Sequence, residues 1–113
     1  MIRADRDILY YIKTYCVDVQ DMMERFGADY AVFQTDKVYR YACAMCIVQM
    51  GMLAESLSEQ YRGQSSLVDW DILMDARNFF SDNSGMIDTY AIWSIITNDV
   101  PKILKVCKED NID

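Results

Sequence analysis

The sequence predicts an all-α fold, an up-down bundle of four to five helices built around one long antiparallel helix pair. Apolar residues recur at steps of three and four along most of the chain, which is the spacing of amphipathic helices. Only four glycines and one proline interrupt the 113 residues, and alternating strand patterns and Asn-Gly or Asp-Gly turns are absent. Apolar residues make up 52% of the chain, so we expect one packed domain over residues 1–113.

Hydrophobic periodicity predicts helices over about residues 5–26, 36–61, 69–80 and 88–108. Three boundaries carry suitable caps. Gly27 tolerates the left-handed backbone of a C-cap, Thr35 or Asp36 can cap the second helix, and Asp69 can cap the third.

Three breaks are expected in the second half of the chain. Residues 81–85 have the composition of a turn. Pro101 lies inside the fourth helical pattern and should kink or restart that helix. The acidic tail over residues 109–113 is expected to fray.

The second helix has an apolar stripe and also a second apolar row. The second row consists of Met45, Val48 and Met52. A helix that is apolar on two faces packs on two sides, so this row predicts either a core contact or a subunit interface. Gly51, near the middle of the helix, costs about 1 kcal/mol of helix stability relative to alanine, so we expect it to have a packing role.

The four cysteines are expected to be reduced core residues. They all lie on apolar helical stripes: Cys16, Cys43, Cys46 and Cys107. The spacing of the middle two, C-x-x-C, also occurs in zinc and redox sites. A metal site needs further ligands, however, and the chain has no histidine and no second close cysteine pair. We therefore predict no metal site.

Composition also limits the possible partners. The formal charge of −7 argues against a basic surface for nucleic acid over the whole chain, although it would attract a basic protein. No apolar run reaches the roughly 20 residues that a membrane span needs, and the first residues lack a signal-peptide pattern. The default expectation is a cytoplasmic location.

The densest polar cluster extends from Arg77 to Ser84. Asn78 and Asp82 are four residues apart and would share one helical face, with Arg77 beside it. A planar guanidinium suits phosphate oxygens, so this cluster could form a phosphate-binding corner. The alternative, which spacing alone favours, is an ordinary helix C-terminus in which Arg77 compensates the dipole and Asp82 caps a turn.

A set of motifs in fixed order extends over nearly the whole chain. They are Asp7-Ile8-Leu9…Ile12, Met50-Gly51…Ala54…Leu57-Ser58-Glu59…Tyr61-Arg62, Trp70, Arg77-Asn78, Ile87-Asp88…Trp93 and Asp99-Val100-Pro101. In this combination the chain resembles the HepT-like family of HEPN domains. From Trp70 to Trp93 the spacing fits the family pattern without a gap.

The resemblance implies a small all-α homodimer without a cofactor. Many members of the family are toxins paired with an MntA-type nucleotidyltransferase antitoxin. Active members are metal-independent ribonucleases that use an arginine and a histidine spaced R-x4-H, at a site formed where two subunits meet. The antitoxin adenylylates the tyrosine two residues after that histidine.

This chain keeps the family's arginine but departs from the pattern elsewhere. Arg77 matches the motif arginine and Asn78 its polar neighbour. Asp82 stands where the family has histidine, and Ser84 stands at the modification position of the tyrosine. Met52 stands where the family has glutamate.

These departures predict a HepT-like protein whose ribonuclease activity is weak or lost. RNA cleavage without a metal needs a base for the 2′-hydroxyl proton and an acid for the leaving oxygen. Aspartate, with a reference pKa of about 3.9, is poorly suited to either role at neutral pH. One alternative is an active ribonuclease with a rebuilt site of Arg77, Asn78 and Asp82, assisted by a divalent cation. Another is a non-enzymatic adaptor that binds a protein through the second apolar row.

Overall fold

The computed structural model describes the backbone of residues 1–64, 67–82 and 88–113, and the side chains of all of these except residues 81 and 82. The elements are α1 (Arg3–Phe26), α2 (Tyr30–Thr35), α3 (Lys37–Ser56), α4 (Glu59–Gln64), α5 (Trp70–Asp82), α6 (Thr89–Ser94), a π-helical turn (Ile95–Asp99) and α7 (Val100–Glu109). The described residues form no strand, which confirms the all-α prediction. Within them, no helix has the length and apolar character needed to cross a bilayer.

The two long helices, α1 and α3, form the predicted antiparallel pair. At one end, the carboxylate of Asp5 accepts a hydrogen bond of 2.8 Å from the backbone N–H of Ser58, just beyond α3. At the other end, the hydroxyl of Tyr39 donates to the carbonyl of Gly27, just beyond α1, over 3.1 Å. The core between these ends is made of fully buried side chains, among them Leu9, Ile12, Val19, Ile47 and Met50.

The second predicted helix is wrong in its last turns, because helix α3 ends at Ser56 and a separate helix, α4, begins at Glu59. Ser58 causes the restart. Its hydroxyl accepts a 3.1 Å hydrogen bond from the N–H of Tyr61 and donates to Asp5 over 2.7 Å. The serine therefore caps α4 and ties it to the first turn of α1.

A short helix, α2, joins α1 to α3 and was not predicted. The carboxylate of Asp29 caps it by accepting from the N–H of Ala31 at 2.9 Å. Asp36 ends α2 and caps α3 through the N–H of Tyr39 at 3.1 Å, as predicted for the start of that helix. Burial of Phe33 against the core supplies the stabilisation that such a short helix lacks by itself.

The fourth predicted helix is restarted as expected, by a π turn that ends two residues before Pro101. The N–H of Val100 bonds to the carbonyl of Ile95, five residues back. Pro101 then occupies the first turn of α7, where its missing N–H costs nothing. The π turn is thus how the chain accommodates proline within a nearly continuous helix.

The prediction that the acidic tail frays is wrong. Ile112 is buried, and its carbonyl accepts a 2.9 Å hydrogen bond from Lys13. Arg6 donates to the carbonyls of Asp110 and Asn111 at 3.2 and 3.0 Å. These carbonyls lie beyond the end of α7, and the two cations on α1 therefore hold the tail against the first helix.

All four cysteines are free and buried, which confirms that they are core residues. Burial raises the pKa of Cys43 to about 12 and the pKa values of Cys46 and Cys107 to about 11. Within the described residues, no three potential metal-ligating side chains come together.

Candidate active site

The site is positioned by a close crossing of α3 and α5 at Gly51. A Cβ atom added to Gly51 would lie 2.5 Å from the carbonyl oxygen of Leu73 and 2.6 Å from the Cβ of Arg77. The expected packing role of this glycine is therefore confirmed. Because the two helix backbones touch there, the Cα of Arg77 is fixed relative to α3.

The guanidinium of Arg77 points along α3 to a carboxylate one turn beyond Gly51. Its Nη1 lies 2.7 Å from Oε2 of Glu55 and 3.4 Å from Oδ1 of Asn78. The side chains of Arg77 and Glu55 are 31% and 60% exposed. An ion pair this exposed is typically worth up to about 1 kcal/mol, so a phosphate can compete with Glu55 for the guanidinium.

The structure brings together two of the predicted site residues and leaves two outside its description. Arg77 and Asn78 are in contact, as above. Helix α5 continues to Asp82, so the expectation of a turn from residue 81 is wrong for its first two positions. Phe80 packs against the core and anchors this last turn. The side chain of Asp82 and the whole of Ser84 lie outside the described residues.

Glu55 is the site residue that the sequence interpretation missed. It lies three residues after Met52, the position at which the family pattern has glutamate. Residues three apart share a helix face, so the carboxylate has moved by one turn along α3. Glu55 lies four residues, about one helical turn, after Gly51 at the helix crossing. That spacing could have indicated Glu55 from the sequence.

The described residues of this site can bind an anion, but they include no histidine that could carry a proton. Arginine stays protonated at all accessible pH values, and the chain contains no histidine. Burial raises the pKa values of Tyr39 and Tyr61, because it disfavours the phenolate. Among the described residues, the shifts of the thiols and phenols are thus away from neutrality.

The second apolar row of α3 lies at the surface beside this site. Met45 is 60% exposed and Met52 is 46% exposed, while Val48 is half-buried. Val38 and Tyr41 continue the row toward the start of α3 and are also exposed. We call Val38, Tyr41, Met45 and Met52 the α3 row. Of the two predicted roles, core contact is wrong for these methionines, and an interface remains.

The antiparallel α1–α3 pair, with α5 crossing α3 beside a surface arginine, defines an all-α helical bundle of the HEPN type. The sequence profile described as "Ribonuclease HepT-like" matches residues 12–109, and the chain belongs to this family. A relative named "Putative RNase MJ1380", from Methanocaldococcus jannaschii, is 27% identical over 103 residues, which cover 90% of this chain and 94% of the relative. No solved structure matches the chain.

Proposed function

We propose that this protein is an RNA-binding, toxin-type HepT-like component whose ribonuclease activity is weak or lost. The observation that carries the proposal is the pairing of Arg77 with Glu55 at 2.7 Å in a chain without histidine. The group that matches the family's phosphate-binding arginine is present, and its charge is already balanced by a neighbour.

RNA would bind at this site when one of its phosphates replaces Glu55 as the partner of Arg77. A phosphate, like a carboxylate, offers the planar guanidinium two oxygens that can each accept a hydrogen bond. Because the pair with Glu55 is exposed, its separation costs little. The amide of Asn78, 3.4 Å from the guanidinium, adds neutral hydrogen bonds to the same ligand.

Cleavage would be slow because the motif position of the base and acid holds Asp82. An ionised carboxylate is a weak base, and its charge repels the phosphate that Arg77 attracts. The alternative of a rebuilt ribonuclease site would require a cation to offset this charge.

A homodimer through the α3 row completes the proposal. The row is exposed, apolar and continuous along one helix face, and a two-fold axis would pair it with itself. Glu55 borders the row, so the Arg77 sites of both copies would lie close to the interface. An MntA-like nucleotidyltransferase antitoxin is the partner that family membership supports, with Ser84 at the modification position.

We expect Arg77→Ala to weaken binding of a fluorescent single-stranded RNA by about tenfold or more, since a hydrogen bond to a charged group contributes about 1.5–3 kcal/mol. Glu55→Gln should strengthen binding, because it removes the competing carboxylate. Fluorescence anisotropy of the purified full chain measures both. Arg25→Ala, which removes an exposed arginine from the last turn of α1, is the matched control.

Two outcomes would contradict this proposal. Equal losses of RNA affinity for Arg77→Ala and Arg25→Ala would mean that RNA binds the chain without a specific site at Arg77. Efficient RNA cleavage by the wild type that disappears on Arg77→Ala would mean that the protein is an active ribonuclease with a rebuilt site.

We expect Met45→Glu to convert a dimeric wild type to a monomer, because a symmetric interface would bury this charge twice. Size-exclusion chromatography with light scattering measures the change. Val17→Glu places the same charge on an exposed apolar position of α1 and should leave the dimer intact. A monomeric wild type would overturn the proposal of a dimer. It would favour the adaptor hypothesis, in which the α3 row binds another protein.

A further inference from the structure

A second surface feature lies between α5 on one side and α6 with the π turn on the other. It is an open groove with a volume of about 420 Å³. Its floor is apolar and includes Ile72 and Phe79 from α5 and Ile95 from the π turn. Phe79 is 40% exposed although most large apolar side chains of α5 are buried or half-buried. We call this feature the α5–α6 groove.

The rim of the α5–α6 groove is acidic. Asp75 comes from α5, Asp88 precedes α6, and Asp99 ends the π turn. Asp75 and Asp88 are exposed, and Asp99 is half-buried. Among the described residues that line the groove there is no lysine or arginine. Three carboxylates therefore line an otherwise largely apolar groove, and no described lining residue carries a positive charge.

The π turn contributes Asp99 to this groove. Ile95 and Asp99 are the first and last residues of the turn, and both line the groove. Burial raises the pKa of Asp99; nearby Lys102 lowers it, and the charge of Asp69 raises it again. π turns recur at functional sites because they redirect side chains within a helix.

The groove is separate from the Arg77 site. At about 100° per residue, Phe79 lies about 200° around α5 from Arg77, on nearly the opposite side of the helix. Ile72 and Phe79 are seven residues apart, so the floor extends for about two helical turns, or about 10 Å. A ligand in this groove would leave the guanidinium free.

We propose that the α5–α6 groove docks a basic amphipathic helix of a partner protein. Apolar side chains at successive turns of that helix would cover Ile72 and Phe79, as in other helix-in-groove complexes. Its lysines or arginines would reach the carboxylates of Asp75, Asp88 and Asp99. Charge complementarity selects this occupant, because RNA phosphates would be repelled and a second copy of this chain carries a net charge of −7.

The probe for this proposal is a fluorescein-labelled synthetic peptide of about four helical turns, with leucines on one face and lysines and arginines on the other. A control peptide keeps the leucines and carries glutamates instead. Anisotropy with the full chain should show binding of the basic peptide alone. We expect the double variant Asp75→Asn/Asp99→Asn to weaken binding of the basic peptide at least tenfold, and Phe79→Ser to weaken that binding comparably.

Matched controls separate a specific groove from general acidity. Asp18→Asn and Asp21→Asn remove two exposed charges from α1 and should leave peptide affinity unchanged. Arg77→Ala should also leave it unchanged. The proposal is overturned if the double variant Asp18→Asn/Asp21→Asn weakens peptide binding as much as Asp75→Asn/Asp99→Asn does, or if both peptides bind equally.

Discussion

Replacing Asp82 with histidine is expected to raise RNA cleavage about a hundredfold over the wild-type protein. A positioned histidine contributes about 10²–10⁴-fold as a general acid or base, because its pKa lies near neutrality. Since α5 continues to Asp82, position 82 lies on the same regular helix as Arg77 and Asn78. An imidazole introduced there would occupy the position at which the family pattern has histidine. It would follow, five residues later on the same helix, an arginine whose Cα is fixed by the Gly51 crossing.

A fluorogenic RNA assayed between about pH 5 and pH 8 measures the gain and its pH dependence, which should follow a group titrating near about 6.5. Asp82→Asn removes the charge without supplying an imidazole, so it should strengthen RNA binding but add little cleavage. The double variant Asp82→His/Arg77→Ala should lose the gain. If Asp82→Asn matches Asp82→His, charge removal rather than proton transfer explains the effect.

Replacing Asp5 with alanine is expected to lower the free energy of unfolding by about 3 kcal/mol. Asp5 is 2% exposed and accepts two hydrogen bonds from Ser58, one from the N–H at 2.8 Å and one from the hydroxyl at 2.7 Å. Each hydrogen bond to a charged group contributes about 1.5–3 kcal/mol, and the variant would leave the part-buried N–H of Ser58 without its acceptor. The cap of α4 would be weakened at the same time.

Urea unfolding monitored by circular dichroism measures this loss. Asp7→Ala, an exposed aspartate two residues further along α1, is the matched control and should change stability by less than about 0.5 kcal/mol. Ser58→Ala keeps the backbone hydrogen bond and should fall between the two. Equal effects of Asp5→Ala and Asp7→Ala would show that the contact with Ser58 contributes no net stability.

Periodicity predicted the fold because the long helices bury one continuous face each. What it could not predict depended on residues far apart in the sequence. The break at Ser58 is stabilised by Asp5, and the ordered tail is held by Arg6 and Lys13. Nothing in the local composition around residues 57 or 110 indicates either contact.

The candidate site was also only partly predictable from the sequence. The motif order identified Arg77 and Asn78, and the cost of a glycine within a helix identified Gly51. Glu55 is an ordinary exposed glutamate in the sequence, and only the crossing of α3 and α5 brings it to Arg77. The α5–α6 groove could not be predicted either, because its three carboxylates come from three separate segments of the sequence.

The burial of every native thiol makes this protein a ready scaffold for labelling. Cys43, Cys46 and Cys107 have pKa values raised to about 12, 11 and 11, and Cys16 is buried with them, so thiolate is scarce at the pH of maleimide coupling. One cysteine introduced on the surface would therefore carry a spin label alone. Distances in the proposed dimer, or from the chain to the proposed docked helix, would become measurable without removing a native residue.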